Sequence, residues 1–187
     1  MKTILGTMLL AGMLASLLPT STTAAEACAA PAMEKVGVYD SRVLAYAHFW
    51  NPETTRARNE LVRSARQARK DGNDAEYQNL HDRIEQLDRR NHLQVFSTES
   101  VAELLAAIAP RLESLQRELG VVRLVSRWDE AALAAVPETA RVDVTDRLAA
   151  EFLPAPTDRQ REIMAQMKEK APLPLPVARM MAAANKL

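Results

Sequence analysis

Cysteine is nearly absent from this chain. Cys28 stands alone among 187 residues, which excludes an intrachain disulfide. Glycine is almost as scarce, with five residues, and none sits in a phosphate-cradling or dinucleotide-binding loop. Aromatic side chains make up 4% of the chain, a composition that argues against a β-sandwich. Neither sign of charge prevails: 24 basic side chains face 24 acidic ones, so the chain as a whole lacks the basic excess of a nucleic-acid binder. Histidine occurs three times, as His48, His81 and His92. The pairs His81 with Glu85 and Asp88 with His92 have i,i+4 spacing, which ordinary helix-surface pairing explains. No metal or cofactor site is expected. Ser41, Ser97 and Ser126 lie in no nucleophile motif, and no enzymatic activity is expected.

A long apolar run occurs once, at the N-terminus. Lys2 precedes residues 4–18, which are apolar apart from Gly, Ser and Thr, and Ala25-Glu26-Ala27 has the form of a cleavage site. Residues 1–27 therefore read as a secretory signal peptide, too short for a membrane span. Export is therefore expected. Lipidation of Cys28, giving an outer-membrane lipoprotein, is the less favoured alternative, and pairing of this thiol between chains is another.

What the chain has in abundance is alanine, leucine and charge, all suited to helix. Residues 54–119 read as two long helical pieces interrupted at Asp71-Gly72-Asn73-Asp74. Residues 54–70 carry Arg56, Arg58, Arg63, Arg66, Arg69 and Lys70 against Glu60 alone, whereas residues 71–118 hold ten acids and five arginines. A reversal at Gly72-Asn73 lays the basic helix against an acidic return helix along a thin seam of Ala57, Leu61, Ala65 and Ala68. Exposed ion pairs there add little stability, roughly 0–1 kcal/mol each; their use is to select the antiparallel pairing. Asp74 is expected to cap the return helix, and Leu80, Ile84 and Leu87 continue its apolar face. Residues 92–100 allow either a bend or a continuous helix. Val101, Leu105, Ile108, Leu112, Leu115 and Leu119 then form one apolar stripe, with a kink from Pro110 expected near Ile108 and a C-cap at Gly120.

Short β-like pieces flank the helices: Val36-Gly37-Val38-Tyr39 before, Val121-Val122-Arg123-Leu124-Val125 and Val142-Asp143-Val144 after. Asp40 or Ser41 caps a helix carrying Val43, Leu44, Ala47 and Trp50, and Asn51-Pro52 starts the next. Residues 128–136 hold a strand or a short helix. Thr145 or Asp146 is expected to cap a helix with Leu148 and Phe152. Residues 157–170 form a last helix with Ile163, Met164 and Met167. The alternation of Pro172, Pro174 and Pro176 favours an extended tail, weakly helical or disordered beyond residue 177. Trp50 and Trp128 read as body-core or subunit-contact residues.

Three passages together resemble the Skp/OmpH family of periplasmic chaperones. Val36-Gly37-Val38-Tyr39-Asp40-Ser41-Arg42-Val43-Leu44 is similar to the family's opening strand and turn. Leu104-Leu105-Ala106-Ala107-Ile108-Ala109-Pro110-Arg111-Leu112, running on to Gly120-Val121-Val122-Arg123-Leu124-Val125, is similar to its returning helix and following strand. Arg141-Val142-Asp143-Val144-Thr145-Asp146 is similar to the segment leading into its closing helix. The resemblance covers about residues 36–152. It implies an α+β fold in which a helical hairpin arm projects from a small β body completed by trimerisation. The Skp/OmpH-like domain would be residues 28–153, with body 36–53 and 119–153 and arm 54–118; residues 154–187 would be a helical and Pro-rich extension outside the family pattern. The arm is short, since 17 residues span roughly 25 Å. Body residues would be Val36, Val38, Val121, Leu124, Val142 and Val144.

The implied function is an ATP-independent holdase for unfolded outer-membrane or envelope proteins. Client contacts would come from Leu61, Ala65, Ala68, Tyr77, Leu80, Ile84 and Leu87, with Arg63, Arg66 and Arg69 steering acidic segments. The alternative is a trimeric structural or adaptor protein of the envelope that binds one folded partner. Contact of the arginine face with an acidic membrane surface is also kept open, and nucleic acid is not an expected partner.

Overall fold

The computed structural model describes residues 34–184. The expected signal peptide, Cys28 and the leader to Met33 lie outside the described residues. No helix among the described residues is long and apolar enough to cross a membrane. The fold is α+β and mostly helical, with one small parallel sheet.

Strand β1 (Val36–Tyr39) lies at the centre of that sheet, between β2 (Arg123–Ser126) and β3 (Arg141–Asp143), and both pairings are parallel. Parallel strands need long crossovers and cover on both faces, and the helices supply both. Gly37 faces Leu124 and Val142 across the two ladders. A Cβ at Gly37 would stand 2.7 Å from a Leu124 methyl and 3.1 Å from a Val144 methyl, so this close packing requires glycine.

Alternation along the strands sorts two cores. Tyr39, Leu124 and Val142 turn to the main core, where Val43, Leu44, Val144, Leu148 and Phe152 are buried. Val36 and Val125 turn to a smaller cluster with Val136 and Ala140, covered by Ala132 and Leu133. Helix α1 (Ser41–Phe49) follows β1 at once, capped by Asp40, and Val43, Leu44 and Ala47 are fully buried. The uncertain stretch 128–136 contains a short helix, α6 (Glu130–Ala134), capped by Asp129.

Asn51 caps α2 (Pro52–Lys70), its side chain accepting from Glu53 N and Thr54 N. Gly72 makes the reversal with φ 70°, and α3 (Asp74–Phe96) returns. The cap of α3 is Asn73, one residue before the expected Asp74; its side chain accepts from Glu76 N. The chain then bends instead of continuing as helix. Ser97 turns extended and bridges to Leu173.

The stripe from Val101 to Leu119 is used in full, but on a broken rod. Helix α4 (Ala102–Ala107) stops at Ile108, and α5 (Ala109–Leu119) restarts with Pro110 in its first turn. A proline there lacks only an N–H that the first turn leaves unpaired, so a fresh start replaces the expected kink. Val101, Leu104 and Leu115 are buried in the main core, with Leu105, Ile108, Leu112 and Leu119 packed against it. Of the expected arm 54–118, the part after residue 100 thus lies on the body. Gly120 ends α5 in the left-handed conformation, φ 64°.

Helix α7 (Thr145–Phe152) has no side-chain cap at its start; Asp143, rather than Thr145 or Asp146, accepts from Thr145 N. Thr145 Oγ1 is instead taken by Asp40 N at 3.0 Å. Helix α8 (Asp158–Glu169) opens with a capping box of Thr157 and Gln160 and buries Met164 in the main core. The Pro-rich tail is extended only around Leu173, whose N–H donates to Phe96 O at 2.9 Å. Helix α9 (Leu175–Ala183) then packs on α3, burying Ala178 and Ala182. Pro176 falls in its first turn, where proline is tolerated.

Candidate functional site

The hairpin α2–α3 forms as expected, but of the expected seam Ala57 is exposed and Leu61 only half-buried. Ala65 and Ala68 are buried in the seam, as is Leu80 opposite. Among the described residues a single ion pair joins the two helices: Arg58 grips Asp88 bidentately, Nε to Oδ1 at 2.7 Å and a terminal nitrogen to Oδ2 at 2.5 Å. That hydrogen bond pushes the Arg58 guanidinium further above its ordinary value. Near the turn, Arg69 donates to the Tyr77 hydroxyl and lies over its ring. Arg63 pairs within its own helix with Glu60.

The predicted client-facing residues divide by exposure. Ala65, Ala68 and Leu80 are spent on hairpin packing. Leu61, Tyr77 and Ile84 are half-buried, and Leu87 is 43% exposed. Arg63, Arg66 and Arg69 are exposed. These side chains share one arm, and the hairpin opens at its base, which no local pattern in the sequence signals. There a cavity of about 330 Å³ lies between α2 and α3, floored by His48, Phe49 and Leu104. Its walls include Ala57, Leu61 and Leu87, with Arg83 and Arg90 also lining it. Burial pushes the His48 imidazole below its ordinary value, against a smaller upward pull from Glu103.

The predicted body residues occupy the sheet and its flanks. Val36, Val121 and Val144 are buried, and Val38, Leu124 and Val142 are half-buried. The three strands pair within one chain. Trp50 is 47% exposed rather than a core residue, because it follows the last buried turn of α1.

A second cluster was only half visible in the sequence. Asp40, fully buried at the carboxyl end of β1, takes Arg42 Nε on Oδ1 at 3.1 Å and an Arg42 terminal nitrogen on Oδ2 at 2.8 Å. Trp128 Nε1 also donates to Oδ1, at 3.1 Å. The Arg42 guanidinium lies 4.7 Å from the Trp128 ring centroid and donates to Met167 O, in the last turn of α8. Arg127 adds an approach of 3.7 Å to Asp40 and donates to Lys168 O. The cluster ties the C-terminal extension to the strand ends through carbonyls that the end of a helix leaves unpaired. Both Asp40 oxygens are occupied, so the group is an anchor and not a free base. The Asp-Ser-Arg spacing gave the capping role away; the partners from 88 and 125 residues further on left no local signal.

On the outer face of α3, His81, Asp82 and Glu85 each place one ligand atom within 4.8 Å of the others. Asp82 accepts from Gln78, and His81 stands 3.8 Å from Glu85 and beside the Tyr77 ring.

No family model, curated protein or solved structure matches this chain.

Proposed function

We propose that this protein is an ATP-independent holdase of the periplasm that binds unfolded outer-membrane or envelope proteins, acting as a homotrimer in the manner of the Skp/OmpH family. The observation that carries this reading is the hairpin itself: two long charged helices leave Leu61, Tyr77 and Ile84 half-covered and Leu87 exposed. Such side chains make weak, numerous contacts with an unfolded chain, and Arg63 and Arg66 beside them attract its acidic segments. The resemblance in the opening strand, the returning helix and the closing segment supports the same reading. The test is aggregation of a denatured outer-membrane barrel protein diluted into buffer. Near-stoichiometric protein should hold it soluble without nucleotide; unchanged aggregation at large excess would remove the holdase reading.

A second reading, a structural or adaptor protein of the envelope, is favoured by the tail. Helix α9 is folded against α3 yet leaves Val177 and Met180 exposed, with Leu173 just before them. An ordered apolar stripe suits one folded partner better than many unfolded ones. Recovery of one stable partner from envelope extracts supports the adaptor; a spread of unfolded barrel proteins supports the holdase.

A further inference from the structure

We propose that the cavity at the base of the hairpin is a docking slot for one large apolar side chain, leucine or aromatic, that neighbours a carboxylate in a peptide segment. This rests on the holdase reading in that the segment belongs to a client. The slot has apolar walls in Ala57, Leu61 and Leu87 and an apolar floor in Phe49 and Leu104. Its volume, about 330 Å³, lies at the small end of ligand cavities, matched to a side chain and its neighbours rather than to a whole lipid.

Charge decides the rest of the occupant. Asp88 is paired with Arg58, and Glu103, which accepts from the neutral Gln94 amide at 2.5 Å, is the one acid of the lining without a cationic partner, against two arginines without an anionic one. Arg83 and Arg90 line the same cavity, are exposed, and make no ion pair or hydrogen bond among those of the described residues. Two uncommitted guanidiniums beside an apolar slot complement an anion next to an apolar group, and guanidinium favours the planar carboxylate. The spacing of residues 83, 87 and 90 puts both arginines and Leu87 on one face of α3.

The test is fluorescence anisotropy with the full exported chain and labelled peptides that differ at one pair of residues: Phe-Asp, Phe-Asn or Ala-Asp in a Gly/Ser frame. Phe-Asp should bind about tenfold more tightly than either control, the size of one charge-assisted contact or one buried side chain. Ala57→Trp, which fills the slot from an exposed position, and the double variant Arg83→Gln/Arg90→Gln should each weaken Phe-Asp about tenfold. The double variant alters only exposed side chains, so it decides the matter if Ala57→Trp does not fold. Equal binding of the three peptides, or unchanged binding by the double variant, overturns the proposal. So does decanoate binding with no peptide binding, which would assign the slot to a lipid carboxylate. A chain mass that falls only in the slot variants would assign the slot to a second copy and would likewise overturn the proposal. Aggregation suppression by the same variants separates the two ideas. Wild-type suppression with equal peptide binding removes the slot and keeps the holdase, whereas peptide binding without any suppression removes the holdase alone.

Discussion

Asp40 and Arg42 are withdrawn from water together, at 0% and 3% exposure. Two buried charges persist because each satisfies the other, with Trp128, Met167 O and the start of α1 taking the remaining bonds. Removing one partner strands the other, at a cost of about 3–5 kcal/mol. Asp40→Ala should therefore lower the urea midpoint by far more than Trp128→Phe, which removes one donor worth about 1 kcal/mol. Equal midpoints for the two variants would mean that Arg42 finds water when Asp40 is lost. His48 is the other residue with a measurable signature. Its folded pKa lies below the ordinary 6.5, chiefly through burial, so the unfolded chain binds the proton more readily. Its contribution to stability is complete above 6.5 and is lost as pH falls through the lowered value. Urea midpoints taken between about pH 7.5 and about pH 5.5 should fall with pH, and His48→Gln should flatten that slope. A slope unchanged in the variant would place the proton elsewhere.

At the scale of elements, the hairpin depends on close approach more than on charge. Ala65 and Ala68 are buried in its seam, while Arg58 and Asp88, the ion pair that crosses it, keep 34% and 29% of their side chains exposed. Ala68→Leu should force the helices apart and cost about 1–3 kcal/mol. Arg58→Ala should cost under about 1 kcal/mol, since solvent screens the pair. Hydrogen exchange read along α2 and α3 checks the order; a larger loss of protection in the arginine variant would make the ion pair the main clasp. The excess of arginine on α2 and of acid on α3 is thus largely a surface feature. Only Arg58 and Asp88 form an ion pair across the hairpin among the described residues.

For the whole molecule the question is assembly. Among the described residues the sheet has three short strands and two open edges, on β2 and β3, and Val122 beside β2 is 54% exposed. Open edges are managed by cover or by pairing with another chain. Under the trimer proposal, light scattering on the chain without residues 1–27 should give roughly 50–55 kDa, three copies in a closed ring. A monomer that keeps its helix content would detach the strands from any shared barrel and favour the adaptor reading.

Much of this architecture was local enough to read from the chain. Caps at Asp40, Asn51 and Gly120, the reversal at Gly72, the small-residue seam and the stripe from Val101 to Leu119 each depend on neighbours within a few residues. Their physics is that of one helix turn or one strand pleat. Partners far apart in sequence were a different matter. Nothing near Arg42 announces Met167 or Trp128, nothing near Phe96 announces Leu173, and the proline-spaced tail reads as extended until α3 gives it a surface to pack on. The same holds for the slot. Ala57, Leu87 and Leu104 are ordinary helix residues where they stand, and only the splay of two helices over the end of α1 makes them one cavity. Local preference sets where each element starts, stops and turns its apolar face; which faces meet is decided by burial and long-range pairing, and these exist only once the chain has closed on itself.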